Sequence, residues 1–226
     1  MLWIEDGASI KVDNVTFENS SSYGIYMEDG ARLKSFTGNK FKSLDMNPIL
    51  LSANEVGLLD KIESSDNEID TIFINGGIVT KSATWKNIST FYMIGKSIDI
   101  NAPVTVNGGI TILIGPENKI SVSDSGSLKL MGTTDAQINI RSSKPSPSAG
   151  DWKGINIYKT ASKDNEWSYV NILHGGSTGY GQLWVEKGAF ITLNHCHFME
   201  GKDCDVYLED GANVTNYAST YNTCEH

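Results

Sequence analysis

Arginine is nearly missing from this 226-residue chain: only Arg32 and Arg141 occur, and the formal net charge is -9. A nucleic-acid binder needs a basic stripe to neutralise phosphates, and none is present. Tight recognition of uronate-rich glycans is disfavoured too, because bidentate grip on carboxylates is mostly arginine chemistry. No apolar run approaches the roughly 20 residues that span a bilayer, so this segment does not insert into a membrane. Cysteine is scarce and odd in number: Cys196, Cys204 and Cys224 form no CxxC, which excludes a zinc ribbon and a thioredoxin motif. Proline is also rare, and two of the five, Pro145 and Pro147, share the stretch 141–151. That stretch is expected to leave the body as a protruding loop. The opening MLWIEDGASI has no charged region followed by an apolar one, so no secretion signal is expected there.

What is present is repetition. Residues 2–33 align without a gap on 183–214, an offset of 181 residues, with 12 of 32 positions identical. We expect the chain to be a piece of a larger array, beginning and ending inside copies of one long unit. A shorter template lies within it: WIEDGASI, YMEDGARL, WVEKGAFI and YLEDGANV recur 23 residues apart within each half. A period of 20–50 residues marks a solenoid, propeller or array.

Apolar residues alternate with period two, as in Ile98/Ile100, Val104/Val106 and Ile110/Ile112/Ile114. Alternation of this kind is a strand signal. Glycine (22 residues) and asparagine punctuate the runs and suit the left-handed corners between strands. The expectation is an all-β, right-handed parallel β-helix of about nine coils, a rod on the order of 45 Å long at the strand spacing of a sheet. A propeller is the competing all-β architecture, but 23 residues are too few for a blade. EVGLLDKIE at 55–63 is read either as a short helical turn with Val56, Leu59 and Ile62 inward, or as a longer irregular coil.

Several segments resemble the right-handed parallel β-helix domains of bacterial cell-surface proteins, pectin-lyase-like in architecture and common in Bacteroides-type lipoproteins. They are Trp85 opening a unit, GSLKLMGT closing the run 109–133, GDWKGI at 150–155, YVNILHGG at 169–176 and HCHF at 195–198. The resemblance implies export, attachment at the outer cell surface, and a non-catalytic structural or adhesin-like role. Some relatives of that fold cleave polysaccharides as lyases or glycoside hydrolases. This chain has neither the paired aspartates nor the arginines such enzymes use, so no catalytic residue is carried over.

Four sets of residues are candidates for function. If Leu2/Ile4 and their counterparts face inward, Trp3, Tyr26, Trp184 and Tyr207 face outward, with Trp3 on Tyr26, Trp184 on Tyr207, and Phe73 extending the first column. Exposed aromatic faces suit sugar rings; a structural ladder is the blander role. Glu5 and Glu28, and Glu186 and Glu209, are expected to stack one coil apart. They either splay into solvent or hold Ca²⁺ between them; no other cofactor is implied. His195 and His197 flank an inward Cys196 and lack an evident third metal ligand. Cys204 and Cys224 lie near one coil apart, close enough to stack and either bridge, if the protein is exported, or stay free thiols.

Three roles follow: polysaccharide recognition through the outward aromatics, polysaccharide cleavage, or a plain stalk. Open strand edges at both ends also predict end-to-end self-association.

Overall fold

A computed structural model describes residues 1–224. The chain winds into a parallel β-solenoid of about nine turns, and every pairing between its named strands is parallel. That ladder excludes the propeller, whose blades need antiparallel hairpins.

One sheet runs the length of the rod. Its nine strands begin with Leu2–Ile4, Ile25–Met27 and Ile49–Leu51 and end with Val170–Leu173 and His197–Met199. A second sheet has six strands: Gly77–Val79, Ile98–Ile100, Lys119–Val122, Gly154–Ile157, Leu183–Val185 and Val206–Leu208. A third, also six-stranded, runs from Ala83–Trp85 to Asn213–Tyr217. The first three coils replace the second and third sheets with shorter ones, a strand pair (Ser9–Asp13, Arg32–Thr37) and a triplet ending at Glu63–Ser65.

The alternation explains the core. Along the nine-stranded sheet one inward row reads Leu2, Ile25, Ile49, Ile72, Tyr92, Ile112, Ile140, Ile172, Phe198, one residue per coil. From Ile25 to Ile172 these side chains are almost fully buried, each worth roughly 1.5–3 kcal/mol against exposure. Tyr92 is the polar exception in this row, and its hydroxyl donates to the Lys86 carbonyl at 2.7 Å. Burial pushes that hydroxyl above its ordinary range, so it stays protonated.

The stretch 55–63 does contain a helical turn. A 3-10 helix spans Ala53–Leu58, beginning two residues earlier than the sequence suggests, and Val56, Leu59 and Ile62 are all buried. It stands where the next strand of the short pair would lie, and it carries a carboxylate that the sequence pattern does not flag. Glu55 is buried; its Oε2 accepts the Leu33 amide at 2.9 Å and its Oε1 lies 3.5 Å from Arg32 Nε. Register slips within that strand pair, between Ile10 and Lys11, so Leu33 lies where the ladder is irregular. Glu55 supplies its acceptor.

The helix adds a side to the count of strands, and this changes the meaning of the repeat. Leu2–Ile4 lies on the nine-stranded sheet, whereas its sequence counterpart Leu183–Val185 lies on the six-stranded second sheet. The two copies start one side out of phase.

Within the stretch 141–151, residues 144–149 are exposed. Its base is tied. Asp151 Oδ2 accepts the Ser142 hydroxyl at 2.7 Å and the Ser148 amide at 2.9 Å, and Oδ1 meets Lys144 Nζ at 2.6 Å. Burial by itself would raise the Asp151 carboxyl. The Lys144, Ser148 and Ser142 hydrogen bonds outweigh it and hold the group at about 2. This stabilisation is complete above the unfolded-chain value near 4 and disappears as pH falls toward the folded value. Asp151→Asn is therefore expected to lower stability by about 2 kcal/mol at neutral pH. Its deficit should shrink between about pH 4 and pH 2. Urea midpoints across that range test it, and a pH-independent deficit would refute it.

Candidate functional site

The template E-x-G-A proves to be a corner. The Ala8, Ala31, Ala189 and Ala212 amides donate to the Glu5, Glu28, Glu186 and Glu209 carbonyls at 2.9–3.1 Å. The glycine in third place has φ between 73° and 93° in all four, a conformation only glycine adopts at little cost. At Gly30 a Cβ would also run into the Asp6 carboxylate of the preceding coil.

The glutamates do not face one another across the stack. Three of the four reach back one coil and accept a backbone amide, while Glu5 in the first coil is exposed. Glu28 Oε2 takes the Asp6 N–H at 3.0 Å, Glu186 Oε2 the Lys159 N–H at 2.7 Å, and Glu209 Oε2 the Lys187 N–H at 2.9 Å. Glu28 Oε1 also accepts the Trp3 indole N–H at 3.1 Å. The Glu28, Glu186 and Glu209 carboxylates fasten corner to corner instead of splaying into solvent. Among the described residues, no three His, Cys, Asp or Glu side chains are grouped to hold a metal ion.

The aromatic candidates fall into two columns on two faces. Trp3 and Tyr26 are paired in register on the nine-stranded sheet, with ring centres 5.6 Å apart and nearly edge-on. Tyr23 packs against Tyr26 from the side at 5.5 Å. Phe73 belongs to the same outward row, but Leu50 intervenes between it and Tyr26. Beyond Phe73 the row turns aliphatic with Met93 and Leu113 and then reaches Arg141.

Trp184 and Tyr207 are paired on the six-stranded second sheet, whose outward row reads Ile78, Asp99, Ser121, Asn156, Trp184, Tyr207. Two tyrosines absent from the repeat complete this group. Tyr158 meets Trp184 edge-on at 5.3 Å. Tyr180 lies against Trp184 at 6.2 Å and against Tyr207 at 5.6 Å. Continuing the template back one coil to INIYKTA places Tyr158 at the corner beside Trp184. Tyr180 carries no such signal, because it comes from the glycine-rich link 174–182 between two strands.

A groove of about 570 Å³ opens beside this cluster, lined by Ile78, Asp99, Asn101, Lys119, Ser121, Ser123, Asp124, Tyr158, Lys159, Thr160 and Glu186. On the other side of Tyr158 a hollow of about 310 Å³ is bounded by Lys119, Lys153, Asn156, Ser177, Tyr180 and Trp184. The groove carries Asp99, Asp124 and Glu186 with Lys119 and Lys159, and the hollow adds Lys153, so the two linings taken together are close to electrically neutral. Its polar groups are cross-braced: Asn101 donates to Asp124 at 3.0 Å, and Ser123 donates to Asn101 at 3.1 Å. The result is a firm trough of hydroxyl, amide and carboxylate groups with Tyr158 as its one aromatic lining residue.

The remaining candidates have separate partners. His195 Nδ1 lies 2.7 Å from Asn194 Oδ1, and its ring stacks on Tyr169 at 4.8 Å. His197 Nδ1 lies 2.8 Å from Thr220 Oγ1. Cys196 is buried as expected, and burial raises its thiol further above neutrality, which keeps it unreactive. Cys204 and Cys224 are joined in a disulfide that ties the end of the described chain to the last coil.

No family model, curated protein or solved structure matches this chain.

Proposed function

We propose that the chain is a non-catalytic recognition module of an exported bacterial surface protein, and that it grips polysaccharide on the six-stranded second face. The observation that carries this reading is the Tyr158–Trp184–Tyr180–Tyr207 cluster, whose Tyr158 lines the polar trough while Trp184 and Tyr180 line the adjoining hollow. Aromatic rings offer flat apolar faces for the CH-rich sides of sugars, and the trough supplies donors and acceptors for their hydroxyls. The near-neutral lining favours an uncharged glycan. The Cys204–Cys224 disulfide supports an oxidising, extracellular setting, because such bonds do not persist in a reducing cytosol. Trp3 and Tyr26 form a lesser patch: Trp3 is exposed but already donates its N–H to Glu28.

A polysaccharide array, run with wild type and a Trp184→Ala/Tyr207→Ala double variant, tests this. Wild type is expected to retain neutral glycans. The variant should lose about 30- to 150-fold in affinity, on the order of two lost ring stackings at 1–1.5 kcal/mol each. Absence of binding by folded wild type, or retention by the variant, would leave the stalk as the better account.

A further inference from the structure

Trp184 is the only member of the platform with a polar atom out of place. Its indole Nε1 is shielded from solvent and has no hydrogen-bond partner. A buried tryptophan N–H normally finds an acceptor, and leaving one without is costly. The residue itself is only partly buried, and the Tyr158 and Tyr180 rings pack against its indole.

Two rings flank the indole, and they differ in how they are held. Tyr158 belongs to a corner of the sheet, and its hydroxyl accepts from Asn156 at 3.4 Å. Tyr180 stands on the tip of a loop and is 54% exposed despite touching two aromatic neighbours. The neck of that loop is closed. Ser177 bridges Gly181, and Gly181 bridges Val206 on the next coil. Gly181 has φ 62° and sits so close to the Asp205 carbonyl that a Cβ would fall 2.8 Å from it. Beyond the neck, Thr178, Gly179 and Tyr180 are all exposed, with Gly179 at φ 77°. The tip backbone is held as well, the Gly179 amide donating to Asp203 Oδ2 at 3.2 Å and the Tyr180 amide to the Ser177 carbonyl at 2.9 Å, so only the exposed Tyr180 side chain need turn and the sheet stays in place.

We infer that Tyr180 is a gate over the Trp184 indole N–H: an entering neutral glycan displaces its ring, takes the freed N–H on a hydroxyl oxygen, and is then covered by Tyr180 from outside. This rests on the recognition proposed above and adds its specificity. A donor aimed at the ligand selects sugars carrying an acceptor at that point and discriminates against deoxy analogues. The orphaned donor is then a feature of the empty state alone, and binding relieves it.

The experiment reads the Trp184 indole resonance by ¹⁵N NMR of the whole chain, assigned with Trp184→Phe. It uses wild type, Tyr180→Ala and Tyr180→Phe, each free and with cello-, xylo- and mannohexaose, and with trigalacturonate for comparison. In the free protein, Tyr180→Ala should speed indole hydrogen exchange about tenfold or more. Tyr180→Phe, which keeps the ring, should not. On adding the bound hexaose to wild type, the indole proton should move downfield as it gains an acceptor. Tyr180→Ala should associate faster and dissociate faster. Unchanged exchange in Tyr180→Ala, or glycan binding that leaves the indole proton where it was, overturns the gate while recognition stands. If folded wild type binds none of the hexaoses, recognition by this face fails and the gate fails with it. Binding of trigalacturonate in their place would overturn the neutral-ligand specificity alone.

Discussion

Replacing Trp167 with alanine is expected to destabilise the solenoid by about 4 kcal/mol, in the usual range for emptying a large aromatic site. Trp167 is fully buried on the third sheet, in the row between Leu130 and Leu193 of the neighbouring coils. Coils stack at a fixed spacing set by their backbone ladders, so the walls of the resulting cavity cannot collapse inward. The same residue allows a sharper comparison. Its indole N–H is buried and has no partner, so it adds nothing favourable to the folded state. Trp167→Phe removes that group and retains most of the ring, and should cost less than about 1.5 kcal/mol. Chemical denaturation of the two variants tests the claim. Equal losses would mean that the N–H, and not the volume, matters here.

The second large effect comes from one methyl group. Gly126→Ala is expected to cost about 3 kcal/mol by overpacking. Gly126 closes the corner 123–126, its amide donating to the Ser123 carbonyl at 2.7 Å. At this place in the template the other corners carry Ala8, Ala31, Ala189 and Ala212. Here a Cβ would strike the Ile100 carbonyl group of the coil beneath and come within 2.9 Å of the Ser123 oxygen. Both obstacles are backbone, and backbone held in a ladder cannot step aside. Gly7→Ala is the control. It has open space within 4 Å, and only its φ of 73° opposes a side chain, worth about 1–2 kcal/mol. Thermal melts that place Gly126→Ala no lower than Gly7→Ala would refute the steric account.

Strands and core rows were legible because both depend on one local rule. Alternation with a two-residue period puts Ile98 and Ile100 inside wherever the coil goes. The E-x-G-A corner was visible as a motif, but not its use. Glu186 was expected to meet Glu209, yet its carboxylate reaches the Lys159 amide of the preceding coil. A backbone donor leaves no mark in the sequence, so side-chain stacking was the contact open to inspection. Spacing placed Cys204 and Cys224 near one coil apart but left open whether they bridge, which the fold decides. Tyr180 was not, since a ring delivered by a loop obeys no repeat. The phase of the two copies was also hidden. It depends on Ala53–Leu58 serving as one side of a coil, which only the winding of the chain reveals.

That phase difference bears on avidity. The two aromatic pairs, Trp3/Tyr26 and Trp184/Tyr207, share a motif but look out from different sheets and opposite stretches of the rod. A second binding event gains from the first only when the connecting chain can span both sites; otherwise its effective concentration is near zero. A stiff crystalline polymer lying along one face would engage one pair and never the other. A supple, hydrated strand could fold over the edge and take both. The bend in the ligand, more than its chemistry, would then decide whether the module binds once or twice.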